Sequence, residues 1–193
     1  MPQNKRGKLV VVTGPAGVGK STILRSVMET TGSRFSVSVT TRAPRPAERN
    51  HRDYHFIDEP TFQGMRDHGE LLEWAKVFDH YYGTPAAPIC EAIDAGQTVI
   101  LDIDLQGARQ VRVKCPQAMF VLILPPDHET LVARLTGRGT ENEEQLKIRL
   151  AKAQQEMEAA QASGLYNHQI VNDDLHRAVR ELVEIVTQGA PQQ

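Results

Sequence analysis

The segment GPAGVGKS at residues 14–21 constrains the fold of this chain more than any other feature of its sequence. It follows an apolar run typical of a strand, residues 8–12, and it precedes a helix predicted over residues 20–30. Its glycines let the backbone turn tightly, so that successive N–H groups point inward and bind phosphate oxygens. The pattern GxxxxGK[ST] between a strand and a helix predicts a P-loop, a cradle for nucleotide phosphates.

Each polar residue of this loop has a predicted role in nucleotide binding. Lys20 supplies a full positive charge to the phosphates, Ser21 places its hydroxyl on Mg²⁺, and Thr22 reaches a more remote phosphate. The predicted nucleotide-binding residues are Gly14, Pro15, Ala16, Gly17, Val18, Gly19, Lys20, Ser21 and Thr22. The motif alone leaves open whether the chain is a GTPase, an ATPase or a kinase.

Strand-like apolar runs alternate with helix-like periodic stretches along the chain, which indicates an α/β protein with a parallel sheet covered by helices. The β-branched character of the runs suggests strands that are buried on both faces. The predicted core strands are residues 8–12, 98–104, 118–124 and 168–172. The predicted helices are residues 20–30, a segment after Thr84, a segment after Asp104, and residues 127–135, 142–162 and 173–187.

Residues 35–84 have a different character and are predicted to form an inserted subdomain. Weak strand signals occur around Ser36, Tyr54 and Leu72, a turn-rich segment lies between the first two, and a short helix is expected over residues 60–68. The whole chain is nevertheless of a length that suits a single domain.

Composition argues against several classes of function. The 22 Lys and Arg residues and 24 Asp and Glu residues give a net charge of −2 and are interspersed, so neither a nucleic-acid-binding nor a membrane-binding surface is expected. The polar start and the lack of long apolar runs predict a cytoplasmic protein without a signal peptide or membrane span. The two cysteines, Cys90 and Cys115, are expected to be reduced. No pattern in the sequence indicates an oligomeric state.

Two arginines and two tyrosines make the insert a candidate receptor for a phosphate group. Arg42 and Arg45 flank a proline in TRAPR, and an irregular segment there can direct both guanidinium groups at one phosphate. Tyr54 and Tyr82 can each donate a phenolic hydrogen bond while their rings remain packed.

Asp102 and Asp104 end a predicted strand, where a carboxylate faces the ligand crevice of a parallel sheet. Alternation along the strand places both side chains on the same face, so one is expected to serve a metal-bound water and the other the acceptor nucleoside. The sequence leaves the division of these roles open, and Asp102 is taken as the candidate metal-binding carboxylate.

Seven further segments, in order, resemble the guanylate kinase family over roughly residues 8–186: SVSVTTRAPR, RDYHF, ELLEWA, HYYGT, ILDIDLQG, RLTGRGTE and IVNDDL. The resemblance implies Mg²⁺- and ATP-dependent phosphorylation of GMP, and of dGMP, to GDP. It also implies a P-loop core (residues 8–34, 85–135 and 164–188), a GMP-binding insert (35–84) and a mobile lid (136–163).

Residue roles follow from the same resemblance. The GMP phosphate is held by Arg42, Arg45, Tyr54 and Tyr82, and guanine is read by Glu73 and Ser38 with help from Thr84 and Asp104. The predicted catalytic cations are Lys20, Arg42, Arg134, Arg138 and Arg149. Arg138 and Asn172 are also expected to contact ATP.

The predicted reaction needs no catalytic base, because a phosphate monoester with a second pKa near 6 is already a nucleophile at neutral pH. Two alternatives remain at this level. One is a P-loop kinase of the same fold with another phosphorylated acceptor, such as a ribose phosphate. The other is a non-catalytic guanylate-kinase-like module that binds phosphorylated peptides.

Overall fold

The computed structural model describes residues 6–77, 79–136 and 143–187. The strands are β1 (Leu9–Thr13), β2 (Arg34–Phe35), β3 (Val39–Thr40), β4 (His55–Phe56), β5 (Leu71–Val77), β6 (His80–Pro85), β7 (Val99–Asp102), β8 (Met119–Leu124) and β9 (His168–Val171). The helices are α1 (Lys20–Thr31), α2 (Glu59–Asp67), α3 (Ala86–Asp94), α4 (Leu105–Lys114), α5 (His128–Thr136), α6 (Glu143–Ala162) and α7 (Leu175–Thr187).

Five parallel strands form the main sheet of the described residues, in the order β2-β7-β1-β8-β9. Alternate residues of β1 enter two cores: Val10 and Val12 pack with α1 and α7, whereas Leu9 and Val11 pack with α3 and α4. Helices therefore cover both faces, and the predicted α/β class with its parallel sheet is confirmed.

A second sheet of the described chain has the order β4-β3-β6-β5. Helix α2 covers it through Phe62, which is buried with Val39 and Leu71. The sequence prediction missed β3 and β6, because β3 has only two residues and β6, with the sequence HYYGTP, contains no valine, isoleucine or leucine. Phe35, predicted to begin the insert, pairs instead with Ile100 in the main sheet.

One predicted strand is too long at its carboxyl end. Strand β7 ends at Asp102, and Asp104 instead caps α4, where its Oδ1 accepts a hydrogen bond of 2.8 Å from the Gly107 N–H. The observed strand therefore includes Asp102 but not Asp104, which lies beyond the strand end in an extended conformation, as the N-cap of α4.

Helices α5 and α6 pack together through Leu131, Leu135 and Ala153. The predicted hinge around Arg138, residues 137–142, lies outside the described residues. Within the described chain, no helix is long and apolar enough to cross a membrane.

Candidate active site

The P-loop connects β1 to α1 and depends on glycines at two positions. Gly17 and Gly19 have φ of 83° and 91°, in the left-handed region that disfavours side chains. A Cβ at Gly17 would lie 2.7 Å from Leu135 Cδ2, and one at Gly19 would lie 2.6 Å from Asn172 Nδ2. Both glycines are therefore required by backbone conformation and by close packing.

Two side chains from other elements hold the loop in place. Asn172, at the end of β9, donates from Nδ2 to the Val18 carbonyl at 2.7 Å. Arg134 of α5 donates to the same carbonyl at 3.3 Å and to the Asn172 carbonyl at 2.9 Å. Asn172 is only 4% exposed, and among the described residues its Oδ1 has no hydrogen-bond partner. An unsatisfied acceptor thus lies beside the P-loop.

Lys20 begins α1 and forms an ion pair with Asp102 at the end of β7, with an Nζ–Oδ1 distance of 2.5 Å. Both side chains are about four-fifths buried, with exposures of 19% and 22%. Ser21 and Thr22 follow on the first turn of α1 and are exposed. The structure therefore gathers a lysine, a carboxylate and two hydroxyl groups at the carboxyl edge of the main sheet.

Arg42 is held by a network within the second sheet. Its Nη2 donates to both carboxylate oxygens of Glu48, at 2.8 and 2.9 Å, and its Nε donates to the Tyr82 hydroxyl at 3.2 Å. The guanidinium also lies over the Tyr54 and Phe56 rings, 5.6 and 5.8 Å from their centroids. The Glu48 hydrogen bond is the main cause that raises the pKa of Arg42, so this group stays cationic.

Tyr54 belongs to the same network, with its ring centroid 5.9 Å from that of Tyr82. Burial is the main cause that raises the pKa of its hydroxyl; Tyr82 and Asp102 add to the effect and Arg42 opposes it. The hydroxyl is therefore a neutral hydrogen-bond donor at physiological pH.

Arg45 and Ser38 lie beside the same network. The backbone N–H of Arg45 donates to Glu48 at 2.8 Å, while its side chain is exposed. Ser38 is half-buried, and its carbonyl accepts a hydrogen bond from His55.

Glu73 of β5 is a buried carboxyl group, with an exposure of 6%. Thr84, its partner across β5 and β6, donates to Glu73 Oε1 at 2.5 Å. Burial raises the pKa of Glu73 to about 7, against the opposing effect of the Thr84 bond, and the charge of Asp104 adds to the increase. The other oxygen, Oε2, faces Gly107, where a Cβ would approach it to 2.5 Å.

The last two predicted catalytic cations are Arg138 and Arg149. Arg149 lies half-buried on α6. Arg138 is outside the described residues, so its predicted contacts with ATP stay predictions. The remaining candidates fall into two groups. One comprises the P-loop with Asp102, Arg134 and Asn172, and the other comprises the second sheet, the loop that carries Arg42 and Arg45, and Asp104 at the start of α4.

Sequence reasoning missed Glu48 and Gly107. Glu48 follows Arg45 by three residues, and a carboxylate so close to two arginines was a usable signal for an ion pair. Gly107 had no comparable signal, because its contact with Glu73 depends on how α4 packs against β5.

Comparison with known proteins gives one consistent result. The sequence model of the family described as Guanylate kinase matches residues 6–189. The chain is 46% identical over 192 residues to a guanylate kinase of Rhodococcus jostii, which covers 98% of this chain and 91% of that protein. It is 48% identical over 188 residues to a guanylate kinase of Symbiobacterium thermophilum, covering 96% and 87%.

Solved structures agree on the fold. A crystal structure of guanylate kinase from Anaplasma phagocytophilum has a TM-score of 0.72 and 30% identity, covering 94% of this chain and 85% of that one. A gluconokinase from Sinorhizobium meliloti has a TM-score of 0.51 at 18% identity, covering 96% and 94%, and shares the fold alone.

Proposed function

Because the chain belongs to the guanylate kinase family, it phosphorylates GMP with ATP, and we propose that donor and acceptor bind at the two groups of residues described above. The observation that carries this assignment is the buried carboxyl group of Glu73, bonded to Thr84 beside the first turn of α4. Guanine presents N1–H and N2–H₂ donors where adenine does not, and a buried carboxylate accepts both. AMP would leave this carboxylate unpaired, at a cost of about 1–3 kcal/mol or more.

In this proposal ATP binds through the P-loop, residues 14–22. Lys20 leaves Asp102 on binding and contacts the transferring phosphates, while Asn172 and Arg134 keep the loop in its binding conformation. The unsatisfied Asn172 Oδ1 supports a donor contact at this position, and the exocyclic amine of adenine can supply it.

The GMP phosphate binds in the second sheet in the same proposal. Arg42 and Arg45 supply the charge, and the Tyr54 and Tyr82 hydroxyls supply hydrogen bonds. The Arg42 guanidinium lies over the Tyr54 ring and donates to the Tyr82 hydroxyl, which supports one phosphate position shared by these three residues. Ser38 and Asp104 complete the proposed acceptor site, with dGMP as a second substrate.

The donor atoms present suit Mg²⁺, which prefers oxygen ligands and usually retains several waters. Ser21 and Asp102 would hold the ion together with ATP phosphates, and bound Mg²⁺ would neutralise charge on the transferring phosphoryl group. Within the described residues, no group of three His, Cys, Asp or Glu side chains could hold a metal ion.

Catalysis in this proposal consists of alignment and charge neutralisation. Lys20 and Arg42 act from the two sheets, and Arg134, Arg138 and Arg149 act from α5 and the lid. We assign residues 35–84 to the acceptor insert and 136–163 to the lid, with the remaining elements as the core. The reaction takes place in the cytoplasm and requires neither nucleic acid nor membrane.

A coupled assay of ADP release with GMP, AMP, UMP and CMP tests the acceptor assignment. We expect turnover with GMP and little with the other three. Comparable turnover with AMP would remove the guanine-binding role of Glu73, and no turnover with any of them would favour the phosphopeptide-binding alternative.

A further inference from the structure

Strand β5 lies at the edge of the second sheet, so its outward backbone groups have no strand partner. Helix α4, which packs on the main sheet, supplies hydrogen-bond partners for these groups. Gln110 Oε1 accepts from the Trp74 N–H at 3.2 Å, and Gln110 Nε2 donates to the Trp74 carbonyl at 2.7 Å. Further along, Lys114 donates to the Leu71 carbonyl at 2.8 Å.

The two bonds of Gln110 require a side-chain amide. The backbone of a residue on an edge strand offers one donor and one acceptor. The Gln110 side chain bonds to both groups of Trp74, as the backbone of a neighbouring strand would. Glutamate has no N–H to give, and lysine or arginine has no acceptor. Since the Trp74 N–H must face an oxygen, the amide orientation is fixed by its partner.

The same face of α4 also contacts the side chain of the residue before Trp74. Gly107 lies three positions before Gln110, so both residues lie on the face of α4 that packs against β5. A Cβ at Gly107 would be only 2.5 Å from Glu73 Oε2, while Thr84 holds Oε1 from the other side. Gln110 thus fixes the backbone beside a carboxyl group that lies between the Thr84 hydroxyl and Gly107.

We propose that Gln110 is a positioning residue for guanine recognition: by bonding both backbone groups of Trp74, it sets where the Glu73 carboxylate lies relative to α4. This inference rests on the proposed role of Glu73. A residue that merely stabilised the sheet edge would lower the melting temperature on removal and leave KM for GMP unchanged, whereas removal of a positioning residue raises KM for GMP and leaves KM for ATP unchanged.

The test compares Gln110→Met, which keeps the length and removes both hydrogen bonds, with wild-type protein. We expect KM for GMP to rise roughly 10- to 100-fold, the effect of displacing a hydrogen-bonded group by about 1 Å. KM for ATP should change less than about two-fold, and the preference for GMP over AMP should fall. Gln117→Met, an exposed substitution just beyond α4, is the matched control and should change neither constant.

Gln110→Glu provides a second variant if Gln110→Met does not fold. It keeps the acceptor for the Trp74 N–H and places an oxygen against the Trp74 carbonyl, so the same selective rise in KM for GMP is expected. A lower melting temperature with an unchanged KM for GMP, in either folded variant, would overturn the inference and leave Gln110 as an edge cap. A wild-type enzyme that does not prefer GMP would instead overturn the proposed role of Glu73.

Discussion

The carboxyl group of Glu73 is buried, so its ionisation costs free energy, and the hydrogen bond from Thr84 offsets only part of that cost. We predict that Glu73→Gln weakens GMP binding far more than ATP binding, because an amide offers one acceptor where the carboxylate offers two. The loss for GMP should be on the order of 10- to 100-fold, corresponding to about 1–3 kcal/mol. Isothermal titration with each nucleotide measures it, and equal losses for both would exclude Glu73 from the guanine site.

The same residue predicts a pH dependence of stability. Its pKa is raised from 4.5 to about 7, so between these values the folded protein retains a proton that the unfolded chain releases. Glu73 therefore contributes less to stability as pH rises from about 4.5 to about 7. Relative to wild type, Glu73→Gln should gain on the order of 3 kcal/mol between pH 4.5 and pH 8. Thermal melts across this range measure the difference, and parallel curves would contradict it.

Lys20 is predicted to be essential for turnover but not for folding. Lys20→Ala should lower kcat by roughly 1,000-fold or more, because in the proposed site its charge contacts the transferring phosphates. Folding should persist, since the ion pair lost within the described residues is with Asp102, whose side chain keeps 22% of its surface exposed to water. Arg25→Ala, an exposed cation on the same helix, is the control and should retain activity. Full activity in a cooperatively folded Lys20→Ala protein would remove the P-loop assignment.

The P-loop packs against α5 and against the end of β9. Gly17→Ala should destabilise the fold by about 1–2 kcal/mol from backbone strain alone. The added methyl group also meets Leu135, so the loop should shift and ATP binding weaken. Gly32→Ala is the matched control: its φ is 67°, but no atom lies within 4 Å of the added Cβ. Denaturant unfolding and nucleotide titration of both variants separate strain from displacement.

The elements also differ in how well the sequence predicts them. Core strands such as β1 and β8 were predicted within about one residue, because continuous β-branched runs are specific to buried parallel strands. The failure to predict β6 and the prediction of Asp104 within a strand have a common cause. Both depend on partners distant in sequence, namely the pairing of β6 with β5 and the capping of α4. For the same reason Gln110 gave no signal before the packing of α4 on β5 was known.

The whole molecule distributes positive charge between the P-loop, the second sheet and α5–α6. Cations that surround an empty cleft repel one another unless carboxylates compensate their charge. In the structure, Lys20 is paired with Asp102 and Arg42 with Glu48, so much of that charge is compensated before any nucleotide binds. Nucleotide phosphates must therefore compete with these carboxylates for the cations. In the proposed mechanism, the free energy that closes the lid comes from ligands that contact both sheets.

This distribution predicts stepwise closure. ATP alone contacts the P-loop side and should close the protein only partly, whereas an ATP analogue together with GMP connects both sheets and should close it fully. Small-angle scattering on the free, singly liganded and doubly liganded protein measures this as a progressive fall in the radius of gyration, from about 16 Å or slightly more for a compact chain of this length. Arg42→Met, which removes a proposed acceptor-side contact, should abolish the second step and preserve the first. An unchanged radius across all three states would refute the proposed lid.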